Sequence, residues 1–494
     1  MKFTPFAPSL TFLGLSLALA SSAFATTPVV TVSSPTNNSS DGSPVHYVAS
    51  ATSPQCSKGI SAMRIYTAPY TSAYTVESDQ INTDLTFQPG NYNTVVEAYD
   101  NCGGVGTTDV NITVQNSALA PPRFLYATDE ANQRIWGYTV NPSTGSLTLN
   151  GQGAVSTGPA NACCYPYQMA SDKGGYRLYA TAGNGTNEKP GYLYGFFIYR
   201  NNGYIYQAPG DPVLTDSDSG PSGAVAVHPS GKFVFVTTTG IDVYQVNSNG
   251  SLTLVPGSPF ATSQAPDSLA VDPSGKYLYS SASNALDAFA IDETSGALTP
   301  LPGSPYAVST GNCSASPGDV IDPFGAFVYT ADGGANEISG FAIDESTGTL
   351  TQAAGSPYPD YGGCTSDPYN KNNPAGIVIE AAGRFLYAAN QTNPAIAIYS
   401  INAGNGALTF VKYTPNQYGT YCGFGSIWAD PSGNFLYTFG QSKENACAQV
   451  INNNNIIGFS INHSTGDITP VPGSPFVIPS GPYGTSTSSI VVTP

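Results

Sequence analysis

Histidine is nearly missing from this chain, which has three in 494 residues, and cations are scarce, with 15 lysines and arginines against 32 aspartates and glutamates. So few histidines, and no C-x-x-C pair, leave a structural zinc site without ligands. The formal charge of −17 repels phosphate backbones and anionic lipids, so neither nucleic acid nor a membrane surface is an expected partner. Charged residues make up only 10% of the chain and no stretch carries a long helical period, which argues against extended helices. Long apolar runs are missing too. Leu10 to Ala20, in the most apolar segment, is shorter than the roughly 20 residues a membrane helix needs. With Lys2 before it and Ala23-Phe24-Ala25 after it, this run has the layout of a signal peptide. Residues 1–25 are therefore expected to be removed, and the remainder secreted or kept in the periplasm without membrane insertion.

Glycine (53), proline (40) and tyrosine (32) are plentiful, which is the composition of many short strands joined by tight turns. Eight cysteines, all beyond the leader, suit an oxidising compartment and point to disulfides. Residues 26–116 read as short strands at 29–34, 45–51, 61–68, 72–78, 85–100 and 108–114, which predicts a small β-sandwich. The segment resembles a bacterial immunoglobulin-like domain, with AYDNCGG (98–104) as its most distinctive piece. In such a sandwich Cys56 and Cys102 follow strands that finish at the same end, so they are expected to pair. A spacer role suits this module; carbohydrate or protein binding is the alternative.

Residues 117–494 are built on a repeat. A strand centred on an aromatic ring recurs seven times, placing Tyr126, Tyr179, Phe235, Tyr279, Tyr329, Tyr387 and Tyr437 roughly 50 residues apart. Six copies follow a companion strand, as in SLAVDP (268–273) and SIWADP (426–431). The first copy lacks one, and SIVVTP (489–494) supplies it from the far end, which predicts a sealed ring. Glycine in STGSLT (143–148), TSGALT (294–299), STGTLT (346–351) and STGDIT (464–469) supplies the positive φ of a hairpin turn ahead of a fourth strand. DPSGK (272–276) and its counterparts turn the first strand into the second, with proline presetting φ. The expected fold is all-β: a seven-bladed β-propeller closed by the C-terminal strand, preceded by the immunoglobulin-like sandwich.

These elements, together with GSP(F/Y) at 257–260, 303–306, 355–358 and 473–476, resemble the seven-bladed lactonase-like propeller family. That family includes 6-phosphogluconolactonases and a muconate-cyclising enzyme. In a propeller the blade-to-blade loops and the second-to-third-strand loops share one face, where function is expected. Family enzymes tend to place His or Arg after the proline that opens a first strand; this chain has Pro266-Asp267, Pro317-Gly318 and Pro374-Ala375 instead. That departure, and an acid-rich face, favour a monomeric extracellular binding module for a glycan, a protein or a small lactone. The alternative is a metal-assisted hydrolase of a lactone without phosphate, because a phosphosugar needs clustered cations.

Asp267 and Asp319 sit near the starts of the first strands of blades four and five, placed to act as a base or to ligate Ca²⁺; simple solvation is the plainer explanation. Arg134 can neutralise a substrate carboxylate, or pair with Asp129 or Glu130. Asp129, Asp332 and Glu337 are acidic ligand-binding candidates on a face that also carries Asp360. Tyr361 and Tyr421 offer rings for stacking on sugars or for packing around disulfides. The six remaining cysteines fall on this face, and Cys422 with Cys447, Cys313 with Cys364, and vicinal Cys163 with Cys164 are the expected pairs. His46 lies in the sandwich and His228 and His463 in turns of the opposite face, out of reach as bases.

Overall fold

The computed structural model describes residues 27–42, 45–68, 71–85, 87, 90–115, 123–158, 165–183, 191–215, 223–282, 284–308, 318–332, 335–360, 374–390, 395–414, 421–442, 455–479 and 488–494. The chain divides into two compact units, Met1–Ser117 and Ala118–Pro494.

In the first unit, alternating residues turn one face of each strand inward, so that Tyr47, Ala49 and Ala51 from one strand meet Met63, Ile65, Val96, Val110 and Ile112 from others. Two sheets carry this core. The smaller has Val45–Thr52 between Val29–Ser34 and Gln80–Leu85; the larger runs in the order Ser39–Gly42, Val105–Gln115, Gly90–Asp100, Ile60–Ala68, Thr71–Val76. The stretch expected as one strand at 85–100 is not continuous: Leu85 ends a strand of the smaller sheet, and Gly90–Asp100 belongs to the larger. Pro89, which cannot donate to a ladder, marks the break in the sequence. Ser39–Gly42 was not expected at all, because SSDG has no apolar alternation; it pairs in parallel with Val105–Gln115. Cys56 and Cys102 form a disulfide with Cα atoms 5.9 Å apart. The Asp100 carboxylate organises that corner, accepting the Cys102 N–H at 2.9 Å, the Gly104 N–H at 2.7 Å and the Ser53 hydroxyl at 2.6 Å.

The second unit is propeller-like. Its described strands form seven antiparallel sheets, numbered here 1 to 7 by their second strands: Phe124–Asp129, Arg177–Gly183, Phe233–Thr237, Tyr277–Ala282, Phe327–Asp332, Phe385–Asn390 and Phe435–Ser442. In sheets 2 to 7 the first strand precedes the second in sequence. In sheet 1 that place is taken by Ile490–Thr493, paired with Ile490 opposite Ala127 and Thr493 opposite Phe124.

Two side-chain devices link neighbouring sheets, and both come from the repeat. The recurring tyrosine donates its hydroxyl to a glycine carbonyl in the third-to-fourth-strand turn of the following sheet: Tyr126 to Gly203, Tyr279 to Gly348, Tyr329 to Gly406, Tyr387 to Gly466, and, from sheet 7 to sheet 1, Tyr437 to Gly145 at 2.8 Å. Tyr437 is fully buried, so Tyr437→Phe orphans a buried carbonyl and is expected to cost about 1–2 kcal/mol in chemical denaturation. The same turn glycine also lies over the first ring of the preceding strand. At Gly348, with φ +71°, a Cβ would run into the Tyr277 ring. Gly348→Ala combines that overlap with a left-handed backbone, and a loss of about 2–3 kcal/mol is expected by the same measurement.

The fourth strand differs from the simple continuous strand expected. In sheet 4 it comes in two pieces, Leu298–Pro300 and Tyr306–Ala307, which both pair with Ala285–Ile291. Between them the ladder lacks a backbone acceptor, and the serine of the Gly-Ser-Pro element replaces it: Ser304 Oγ accepts the Ala288 N–H at 2.9 Å. Ser258, Ser356 and Ser474 do the same for Val243, Gly340 and Gly458. In sheet 2 the role passes to Asp211, whose carboxylate takes the Gly195 N–H at 2.9 Å and is pushed up to about 7 by burial.

Candidate functional site

The first strands place the candidate carboxylates. In six sheets the residue after the recurring ring faces a first-strand partner across the ladder: Ala127 faces Ile490, Ala180 faces Met169, Val236 faces Val225, Ala388 faces Ile377, Thr438 faces Ile427, and Thr330 faces Asp319. Five of the six first-strand partners are apolar. Asp319 therefore puts a carboxyl where the repeat otherwise places a hydrocarbon.

That carboxyl is housed by hydroxyls. Asp319 Oδ2 accepts the Ser281 N–H at 2.9 Å, and the Asp319 N–H donates to Ser268 Oγ at 2.9 Å. Burial pushes its pKa up to about 6, opposed by the nearby side chains of Ser281, Thr330 and Ser268. Asp319 Oδ1, Ser281 Oγ and Thr330 Oγ1 are all buried without a well-aligned hydrogen bond.

Asp267 stands beside this cluster. Its backbone N–H donates to the Ser281 carbonyl at 2.9 Å, so the Asp319 carboxylate and the Asp267 main chain are joined at the two ends of one residue's backbone. The neighbouring Ser268 carbonyl accepts the Ser280 hydroxyl at 3.0 Å, which pins the segment to sheet 4. Unlike Asp319, Asp267 is exposed, yet the protein around it displaces enough water to raise its pKa above the usual carboxylate range.

With this geometry in place, the chain can be set beside known proteins. Residues 207–315 and 358–478 match the family model described as lactonase, 7-bladed beta-propeller. Over those residues the large unit is similar to that family. Two curated relatives bear the name 6-phosphogluconolactonase. That of Sodalis glossinidius is 34% identical over 98 residues, 20% of this chain and 26% of the relative; that of Serratia proteamaculans is 26% identical over 171 residues, 34% of this chain and 46% of the relative. The chain thus spans less than half the length of either. Among solved structures, the periplasmic gluconolactonase of Pseudomonas aeruginosa superposes with a TM-score of 0.57 at 16% identity, covering 76% of this chain and 99% of that one. Such a likeness concerns the fold.

The other candidate residues fall elsewhere. Asp129 is fully buried, its oxygens taken by Asn132 Nδ2 at 2.9 and 3.1 Å, Trp136 Nε1 at 3.3 Å and the Arg134 guanidinium at 3.6 Å. Arg134, half-buried, also lies over the Trp136 ring, so its guanidinium is engaged by Asp129 and that ring. Asp332 is 7% exposed and accepts the Ala335 N–H, and Glu337 faces it across the hairpin. Asp360, expected on an exposed acidic face, is 1% exposed; Tyr399 and Tyr413 donate to it at 3.2 and 2.9 Å, and burial pushes it up to about 6. Among the described residues, Asp129, Asp332 and Asp360 of the expected acidic face are thus buried. Tyr361, Cys163, Cys164, Cys313, Cys364 and Cys447 lie outside the described residues, as do the side chains of Tyr421 and Cys422.

Ser268, Ser281 and Thr330 were missed by the sequence reading. The usable signal was the odd acid at Asp319, once the repeats are aligned strand by strand. His228 is buried with Nε2 2.8 Å from the Gly275 carbonyl, which links two turns and leaves it no part in the site.

Proposed function

We propose that this protein hydrolyses a lactone that carries no phosphate, with Asp267 as the general base. The observation that carries the reading is the meeting of Asp267 and Asp319 at Ser281 in a unit similar to the lactonase family. Asp267 is open to water, and a carboxylate whose pKa lies above its ordinary value is a better base near neutral pH. In the step envisaged, Asp267 takes a proton from water as its oxygen attacks the lactone carbonyl. The ring C–O bond then breaks, the ring oxygen takes up a proton, and a hydroxy acid leaves that releases one proton to the medium. The shortage of cations, and the commitment of Arg134 to Asp129, speak against a phosphorylated substrate.

Three readings go with this one. The seven sheets form one closed seven-bladed ring: Ile490–Thr493 supplies the missing strand of sheet 1, and the Tyr437–Gly145 bond joins sheet 7 to sheet 1. The first unit is an immunoglobulin-like sandwich, supported by its two packed sheets. The protein works outside the cytoplasm, supported by the leader-like residues 1–25 and the Cys56–Cys102 disulfide. Metal assistance is the less favoured route: among the described residues, the cluster of potential ligands is Cys56, Asp100 and Cys102, whose sulfurs are bonded to each other.

Glycan binding is a second reading, favoured by the exposed Tyr199 and Tyr206 rings, which meet edge to face at 4.8 Å. The deciding experiment is proton release by the mature protein on sugar, aliphatic and muconate-type lactones, with Ca²⁺ and then with chelator. Turnover that survives chelation supports the base mechanism. Turnover lost on chelation replaces it with a metal-assisted one, and silence on the whole panel rejects hydrolysis in favour of binding.

A further inference from the structure

Asp319 occupies a place where four other sheets bury Ile490, Met169, Ile377 and Ile427 and a fifth half-buries Val225. A carboxyl there is costly, because burial disfavours its charge and the hydroxyls around it are imperfectly satisfied. The repeat itself shows the cheaper solution, an aliphatic side chain. A local rule broken in one of the six sheets compared, beside the exposed carboxylate of the proposed site, marks a residue held for function rather than stability.

The contacts say what that function is. Asp319 touches the Asp267 segment in two ways: its carboxylate holds the N–H of Ser281, whose carbonyl in turn holds the Asp267 N–H, and its own N–H holds the hydroxyl of Ser268, the residue next to Asp267. Ser281 is fully buried and cannot reorient alone. An aliphatic residue at 319 would leave the Ser281 N–H without its acceptor and free the segment that presents Asp267.

We propose that Asp319 is the positioning residue of the lactone-hydrolysing site, aligning Asp267 through the backbone of Ser281. This rests on the hydrolase reading above. Asp319 does not meet the substrate; it sets where the base stands.

The test compares wild type, Asp319→Asn and Asp319→Ile, reading kcat, KM and urea unfolding for each. Asparagine keeps an oxygen for the Ser281 N–H, and isoleucine is what three other sheets use here. The expected result is that Asp319→Ile unfolds at equal or higher urea than wild type while kcat falls at least 10-fold with KM within 2-fold, and that Asp319→Asn recovers most of kcat. If Asp319→Ile is equally stable and keeps kcat within 2-fold, Asp319 is a tolerated core acid and the proposal is wrong while the hydrolase reading stands. Isoleucine and asparagine variants that both lose stability and activity together would also overturn it, by making the residue structural. A wild type inactive on every lactone removes the hydrolase reading and this inference with it.

Discussion

Asp267→Asn is expected to lower lactone turnover by about 10²–10⁴-fold, the usual contribution of a positioned base. The substitution is mild for the fold. The side chain is exposed, and the bond that places the residue runs from its backbone N–H to the Ser281 carbonyl, which asparagine keeps. Stability should stay within about 0.5 kcal/mol of wild type, as for other surface changes. Turnover by the wild type should fall as the medium is acidified through the raised pKa of Asp267, because only the carboxylate can accept a proton from water. The asparagine variant should show no such limb in its residual rate. Asp292→Asn, at an exposed turn between third and fourth strands, serves as the charge-matched control and should leave turnover unchanged. A turnover within about threefold of wild type for Asp267→Asn would remove this residue from the chemistry.

The contrast between Asp267 and Asp360 shows what the sequence could and could not disclose. Both read as acids on one loop-bearing face. Asp267 is exposed there, whereas Asp360 is covered by Tyr399 and Tyr413, which come from the next sheet and lie roughly 40 and 50 residues away in sequence. Local chemistry was legible: the aromatic strands, the glycine turns and the end-to-end pairing of Ile490–Thr493 with Phe124–Asp129 all follow from short motifs repeated at a fixed period. The pairing of Arg134 with Asp129 was legible for the same reason, five residues apart on facing strands of one hairpin. Non-local satisfaction was not legible. Nothing in GSP says that its serine replaces a backbone acceptor in an interrupted fourth strand, because the N–H it takes belongs to the third strand, 16 residues earlier in the case of Ser304 and Ala288. Nor does Asp319 announce Ser281, 38 residues upstream, until strand register brings them together. Of the proposed site, the sequence thus offered the two carboxylates as candidates and left Ser268, Ser281 and Thr330 unmarked.

The large unit is also expected to be more stable in mild acid than at neutral pH, which is unusual enough to be diagnostic. Burial raises Asp319, Asp322 and Asp360 to about 6 each, against about 3.9 in an unfolded chain. Between these values the folded protein holds protons that the unfolded chain has released, so the contribution is complete below about pH 4 and is lost as pH rises through 6. A shift of about two units is worth about 3 kcal/mol per group, and the three together place the difference between pH 4.5 and 7.5 on the order of 5 kcal/mol or more. The charge of −17 acts in the same direction, since acidification relieves self-repulsion. Asp292, Asp344 and Asp467 act oppositely, because hydrogen bonds hold their carboxyls below the ordinary value. Their contribution is lost only as pH falls through those lowered values, so the optimum should lie near pH 4 to 5, close to the unfolded carboxylate range. Urea midpoints of the large unit measured from pH 4 to 8 should therefore fall steadily towards neutrality, with Asp211, pushed up to about 7, adding to the fall and Asp319→Ile flattening the slope by about a quarter if the four groups contribute equally. Midpoints that rise with pH over that range would mean that these acids are ionised in the folded state, with cations or water reaching them.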